Sequence, residues 1–260
     1  MVNTEKHKGI LVRILKDIYT DNTLGPVLGF KGGTAAFLFY ELSRFSVDLD
    51  FDLLDSAQEN YVFERVGKIV AAYGKIKAQK KKHFTLFYEL SYSEADQNIK
   101  VEINRRNFGS KYDVMNYFGI SMKVMVKEDM FANKLAALYE RAERANRDIF
   151  DVWFFLQNSW PINKELVEKR LSMTFKESVA ECIEKLEKVS GRTILSGMGE
   201  LLDTKQKVWA KAKLKTEALF LLKVMLDNEK DYKAVKNKFM QKEAKARSQR
   251  PHFAKATRGK

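Results

Sequence analysis

The sequence predicts an α+β chain: a mixed sheet with flanking helices over residues 1–126, followed by a helical bundle. Three observations point there. Residues 46–54, SVDLDFDLL, alternate acidic and apolar side chains with a period of two, which marks a strand with one buried face. Several further strand-like runs lie between 75 and 126. From residue 127 onward, apolar residues recur at helical spacing instead.

The elements follow in order. Ile10, Leu11, Ile14, Leu15 and Ile18 predict an amphipathic helix over 5–20. PVLGF (26–30) reads as a short strand ending at KGGT, and TAAFLFYEL (34–42) as a buried helix. The aspartate-bearing strand 46–54 comes next, then an amphipathic helix over 58–74 ended by Gly74. Strands are expected at 75–81, 83–92, 98–106 and 121–126. Helices are expected at 127–143 and 147–158, the second broken by Trp160-Pro161. KELVEKRL, FKESVAECIEKLEKV and KTEALFLLKVMLD complete the bundle. The domain division is 1–126, 127–243 and a flexible basic tail at 244–260.

Composition narrows the class. Of 260 residues, 45% are hydrophobic and 31% charged, as expected for a chain with a sizeable core. No apolar run approaches the roughly 20 residues of a membrane span, and the N-terminus lacks a signal-peptide pattern. The single cysteine, Cys182, excludes an internal disulfide, so the expected location is cytoplasmic. Lys and Arg number 47 against 34 Asp and Glu, a net charge of +13 that favours a polyanionic partner, nucleic acid first. His7, His83 and His252 show no metal-ligand spacing, and the aromatics of FFLQNSW read as core.

The strongest signal is local. Asp48, Asp50 and Asp52 point one way from a single strand, and like charges stacked on one face repel. A divalent cation neutralises them, since carboxylates at i and i+2 offer hard oxygen ligands to one side. Upstream, FKGGTAAFLFY (30–40) sets two glycines between a strand and a helix, where backbone N–H groups meet the positive end of a helix dipole. The stretch lacks the Walker pattern of a P-loop. A glycine turn, a short helix and a DxD strand form one unit that can hold a triphosphate and its metal.

KGGTAAFLFYELSRFSVDLDF (31–51) resembles the signature of the AbiEii/AbiGii toxin family, within the DNA polymerase β-like nucleotidyltransferases. The matching residues are Lys31, Gly32, Gly33, Thr34, Tyr40, Arg44, Phe45, Ser46, Asp48, Leu49, Asp50 and Phe51. IKVEINRR (99–106) resembles the family's third acidic strand, and EDMFANKLAALYERAERANRDIFDVWFF (128–155) its downstream lysine and Arg-Asp-x-x-Asp helices. The resemblance implies a polymerase β-like nucleotidyltransferase domain followed by the helical bundle. It also implies Asp48 and Asp50 as ligands of Mg²⁺ (or Mn²⁺), and an NTP as substrate. Gly32, Gly33 and Ser46 would line its phosphates, and Lys134 would neutralise them. Asp148 would act near the base or the acceptor, and Arg44 would hold the loop or a phosphate.

Some roles stay open at this level. Glu102 is either the base for the incoming hydroxyl or a strand glutamate paired with Arg105 or Arg106. Asp52 is either a support behind the ligands or a turn partner, and Asp151 shares the role of Asp148 or makes a structural ion pair. The implied function is a toxin that moves NMP to an RNA, the tRNA 3′ end first, and that pairs with a cognate antitoxin protein. The alternatives are a non-catalytic basic RNA- or partner-binding domain on the same fold, and a transferase acting on small molecules of the antibiotic kind.

Overall fold

The computed structural model describes residues 3–93, 97–141 and 146–228. The basic tail expected at 244–260 lies outside them. Helix α1 (Thr4–Thr20) starts where the Asn3 side chain accepts from the Lys6 N–H, and it buries Leu11, Ile14, Leu15 and Ile18, the face its periodicity predicts. A short helix α2 (Leu24–Val27) follows, then strand β1 (Leu28–Lys31), helix α3 (Gly32–Phe39), strand β2 (Leu49–Leu53) and helix α4 (Glu59–Ala71). Strands β3 (Lys75–Lys81), β4 (Thr85–Ser91), β5 (Ile99–Asn104), β6 (Tyr112–Tyr117) and β7 (Ile120–Met125) complete the sheet.

The seven strands lie in the order β3-β4-β5-β2-β1-β7-β6. β1 and β2 are antiparallel, whereas β2–β5 and β1–β7 are parallel, so the sheet is mixed as expected. One face carries Leu28, Phe30, Leu49, Phe51, Leu86, Tyr88, Val101, Ile103 and Val124, all buried. Helices α1 and α4 cover it: Tyr19 of α1 packs on Phe51, and the Tyr88 hydroxyl donates to the Phe63 carbonyl of α4. Burying this side fixes the strand register, because a one-residue slip would turn the carboxylates inward.

Two expectations change. The first strand starts at Leu28 rather than 26, because Pro26 sits in α2, early enough in that short helix that its missing N–H breaks no backbone bond. Strand β6 has no counterpart in the sequence prediction. It is an edge strand that carries Asp113 and Asn116, and it turns into β7 through Phe118 and Gly119, both with positive φ.

The rest is helical, as predicted: α5 (Lys127–Arg141), α6 (Asn146–Gln157), α7 (Lys164–Leu171), α8 (Phe175–Lys188) and α9 (Thr204–Trp209). Thr174 with Glu177, and Asp203 with Gln206, form capping boxes that start α8 and α9. α9 passes through a π-helical turn, Ala210–Leu214, and continues as helix to 228. One hydrophobic cluster runs from Leu11 through the sheet to Leu222, so the two halves share a core.

Candidate active site

The open face of the sheet carries the site. β2 and β5 run in register, with Asp50 opposite Glu102 and Asp52 opposite Asn104, so their side chains share that face. Asp48 precedes β2, and one of its carboxylate oxygens accepts from the Lys100 N–H at 3.2 Å. Burial first, and then repulsion from Asp50, raise the Asp48 carboxyl above its ordinary range, with Arg147 opposing from 3.6 Å. Burial and Asp50 raise Glu102 in the same way. Arg105 bonds Glu59, and Arg106 bonds Asn104, so the arginine partners considered for Glu102 are engaged elsewhere.

Asp52 differs from its neighbours. It accepts from Lys31, Asn104 and Tyr112, which makes it a structural hub joining β1, β2, β5 and β6. Its charge is answered within the protein, while Asp50 lines the cleft and Asp48 lies beside it, facing Arg147.

Gly32 opens α3 at φ +79, a conformation that L side chains rarely adopt. A Cβ there would collide with the Asp50 carboxylate, so the glycine keeps the space beside that carboxylate open. No side chain caps α3, which leaves its first-turn N–H groups available to an anion. Gly33 and Ser46 lie deeper. Ser46 is buried and accepts from the Thr34 hydroxyl, and a Cβ on Gly33 would crowd Arg44 and Ser46. Of the three residues expected to line phosphates, Gly32 reaches the cleft.

The opposite wall is α5. Lys134 lines the same cleft as Gly32, Asp50 and Glu102. Its ammonium sits 3.0 Å from Asp148 and 2.8 Å from Asp151. Asp148 is fully buried, and Arg141 holds it as well, at 2.8 Å. Burial would raise the Asp148 carboxyl, but Lys134 and Arg141 overcome this and keep it below the usual range. Asp148 therefore holds two cations at the cleft wall. Arg44, 2% exposed, donates to both oxygens of Asp151 at 2.6 and 2.7 Å and to the Phe45 carbonyl at 2.9 Å. Its guanidinium fastens the RFS loop to α6. Burial alone would raise Asp151, yet Arg44 and Lys134 bring it down to about 2.

Sequence reasoning missed two cationic residues at the cleft, Arg141 and Arg170, and considered a third, Arg106, only as a partner of Glu102. Arg141 lies seven residues after Lys134, two helical turns along the same face, so its spacing could have marked it. Arg106 and Arg170 come from a loop and from α7, and no local pattern joins them.

Among the described residues, no group of three or more His, Cys, Asp or Glu side chains is placed to hold a metal unaided. Two aspartates of raised or crowded charge, hard oxygen donors and a space that a Cβ would fill nonetheless suit a divalent cation that takes its remaining ligands from a phosphate and water. No helix among the described residues is long and apolar enough to cross a membrane.

The family model described as nucleotidyl transferase AbiEii toxin, type IV TA system, matches residues 13–257. No curated protein matches the sequence. Among solved structures, JHP933 from Helicobacter pylori superimposes with a TM-score of 0.61 at 18% identity, covering 91% of this chain and 97% of that one. A second H. pylori structure, of a candidate nucleotidyltransferase, gives a TM-score of 0.58 at 19% identity, covering 88% and 97%. At these identities the likeness concerns the fold. The match over nearly the whole sequence assigns the activity: this chain is a nucleotidyltransferase and belongs to the AbiEii toxin family of type IV toxin–antitoxin systems.

Proposed function

We propose that this nucleotidyltransferase moves NMP from an NTP to an RNA acceptor, the 3′ end of tRNA first, with Mg²⁺ (or Mn²⁺) held by Asp48 and Asp50. The observation that carries this is one cleft in which Asp50 and Glu102 face Lys134 and Arg141. Nucleotidyltransferases of this kind generally use an NTP and a divalent cation. The cation supplies positive charge at the reacting phosphate. The protein's residues do the rest. Gly32 and the uncapped start of α3 receive the triphosphate. Lys134, held by Asp148 and Asp151, meets the negative charge that grows as pyrophosphate leaves. Glu102, whose proton affinity burial has raised, takes the proton of the attacking hydroxyl. The acceptor oxygen bonds to the α-phosphorus as the bond to pyrophosphate breaks.

The net charge of +13 favours a polyanionic acceptor over a small alcohol or amine. In this scheme residues 1–126 form the catalytic unit and 127–243 supply Lys134 and its holders. Residues 244–260 add a basic arm for RNA. The cognate antitoxin is the protein partner, and the cytoplasm, where NTPs and tRNA meet, is the site of action. Incubation with each of four α-labelled NTPs, Mg²⁺ and total tRNA tests the proposal. Label in tRNA that depends on Asp48 and Asp50 supports it. Label on a small molecule only, or none with tRNA still bound, removes it.

A further inference from the structure

The open face of the sheet continues past the carboxylates to the opposite edge. Register places Asp50, Glu102, Phe87 and Lys80 in one row across β2, β5, β4 and β3. Three strand spacings give roughly 14 Å from Asp50 to Lys80. Beside this row, the Lys82 ammonium covers the Phe87 ring at 3.4 Å. The tip joining β3 to β4 presents Phe84, 47% exposed. His83 packs on Phe84 at 4.1 Å, and the Arg106 guanidinium lies 4.8 Å from its ring. Arg106 also stacks over Phe108 at 5.4 Å, and Arg170 does so at 5.6 Å, so cations and aromatic rings alternate from the tip back into the cleft. The Arg105 N–H donates to the Phe84 carbonyl at 2.9 Å, which ties the tip to β5. Neither Lys80, Lys82 nor Arg106 forms an ion pair among the described residues.

Protection of an edge strand against pairing accounts for lysines on β3. It does not account for a solvent-facing phenylalanine set between cations, since protection works by excluding such residues. Exposed aromatic faces beside unpaired cations are the chemistry that holds single-stranded nucleic acid: bases stack, and phosphates meet ammonium groups.

We infer that Lys80, Lys82 and Phe84 form the lane along which the single-stranded end of the RNA acceptor approaches the carboxylates. The inference rests on the RNA-acceptor proposal above and adds its route. Phosphates lie on Lys80 and Lys82, a base stacks on Phe84, and Arg106 marks the turn into the cleft. None of the three lane residues lines the cleft.

The test uses the full chain and total tRNA, with filter binding over a salt series and transfer of label from the NTP. The double variant Lys80→Gln/Lys82→Gln should make the salt dependence shallower by about 1.4 in log–log slope, at roughly 0.7 per single-strand phosphate contact. Phe84→Ala should weaken tRNA binding on the order of 5- to 150-fold, the loss of one stacked base. Phe84→Trp should restore it. NTP affinity, measured with a fluorescent analogue, should not change in any variant. If the wild type labels tRNA while all variants bind with its affinity and slope, the lane is wrong and the acceptor proposal stands. If the wild type neither binds nor labels tRNA, the acceptor proposal fails and takes the lane with it. Joint loss of NTP and tRNA binding in Phe84→Ala, not restored by Trp, also overturns the lane.

Discussion

Arg44→Ala should cost far more stability than a surface charge would. The guanidinium and the Asp151 carboxylate are 2% and 0% exposed, and they meet through two bonds of 2.6 and 2.7 Å. Breaking such a pair leaves an under-compensated charge in the interior, at a cost of about 3–5 kcal/mol. For a chain of this size each kcal/mol moves the melting temperature by about 2–4 °C, so the shift should be on the order of 10 °C. Urea and thermal unfolding followed by circular dichroism at pH 7 would measure it. Added salt should change the loss little, because the pair is shielded from solvent ions. Arg44→Met with Asp151→Leu removes both charges and should recover part of the loss, the rest being the Lys134 contact that Asp151 also makes. The pH dependence has a definite sign. The Asp151 carboxyl is lowered from 3.8 to about 2, so its stabilisation, about 2 kcal/mol, is complete above pH 4 and disappears as pH falls towards 2. A loss below 1 kcal/mol in Arg44→Ala, or a double variant as damaged as the two single changes summed, would refute the reasoning.

Other outcomes follow from the cleft. Asp48→Asn or Asp50→Asn should abolish NMP transfer while the circular dichroism spectrum stays near wild type; full activity in either would remove the metal assignment. Lys134→Ala should lower turnover by about 10²-fold or more, the loss typical of one preorganised charge partner, which single-turnover kinetics would read. Without divalent cation, the carboxyls of Asp48 and Glu102 should titrate above the ordinary carboxylate range, as an NMR pH titration of the metal-free chain would show. Arg147→Gln should raise the Asp48 carboxyl further in the same metal-free titration, because Arg147 opposes its shift more than Lys100 does.

Local chemistry was legible in the sequence; long-range pairing was not. The period-two aspartates identified β2 and its acidic face, and Lys134, which interrupts the apolar run MFANKLAAL, pointed to a cleft residue. For Arg44 the family resemblance left two roles open, holding the loop or a phosphate. Its true partner lies 107 residues away, and no spacing rule reaches that far. The place of Glu102 depends on the parallel register of β5 with β2, which only the folded sheet reveals. Strand β6 escaped because a polar edge strand has no buried face strong enough to impose alternation.

The hub at Asp52 has a genetic consequence. Cells that survive expression of a toxin select alleles that silence it. Changes at Asp48 and Asp50 should be recovered as full-length, well-folded chains that are chemically inert. A change at Asp52 releases Lys31, Asn104 and Tyr112 at once and loosens the sheet itself. Survivors carrying it should escape by losing soluble protein, so three acidic codons at alternate positions with one apparent phenotype would divide cleanly on an immunoblot.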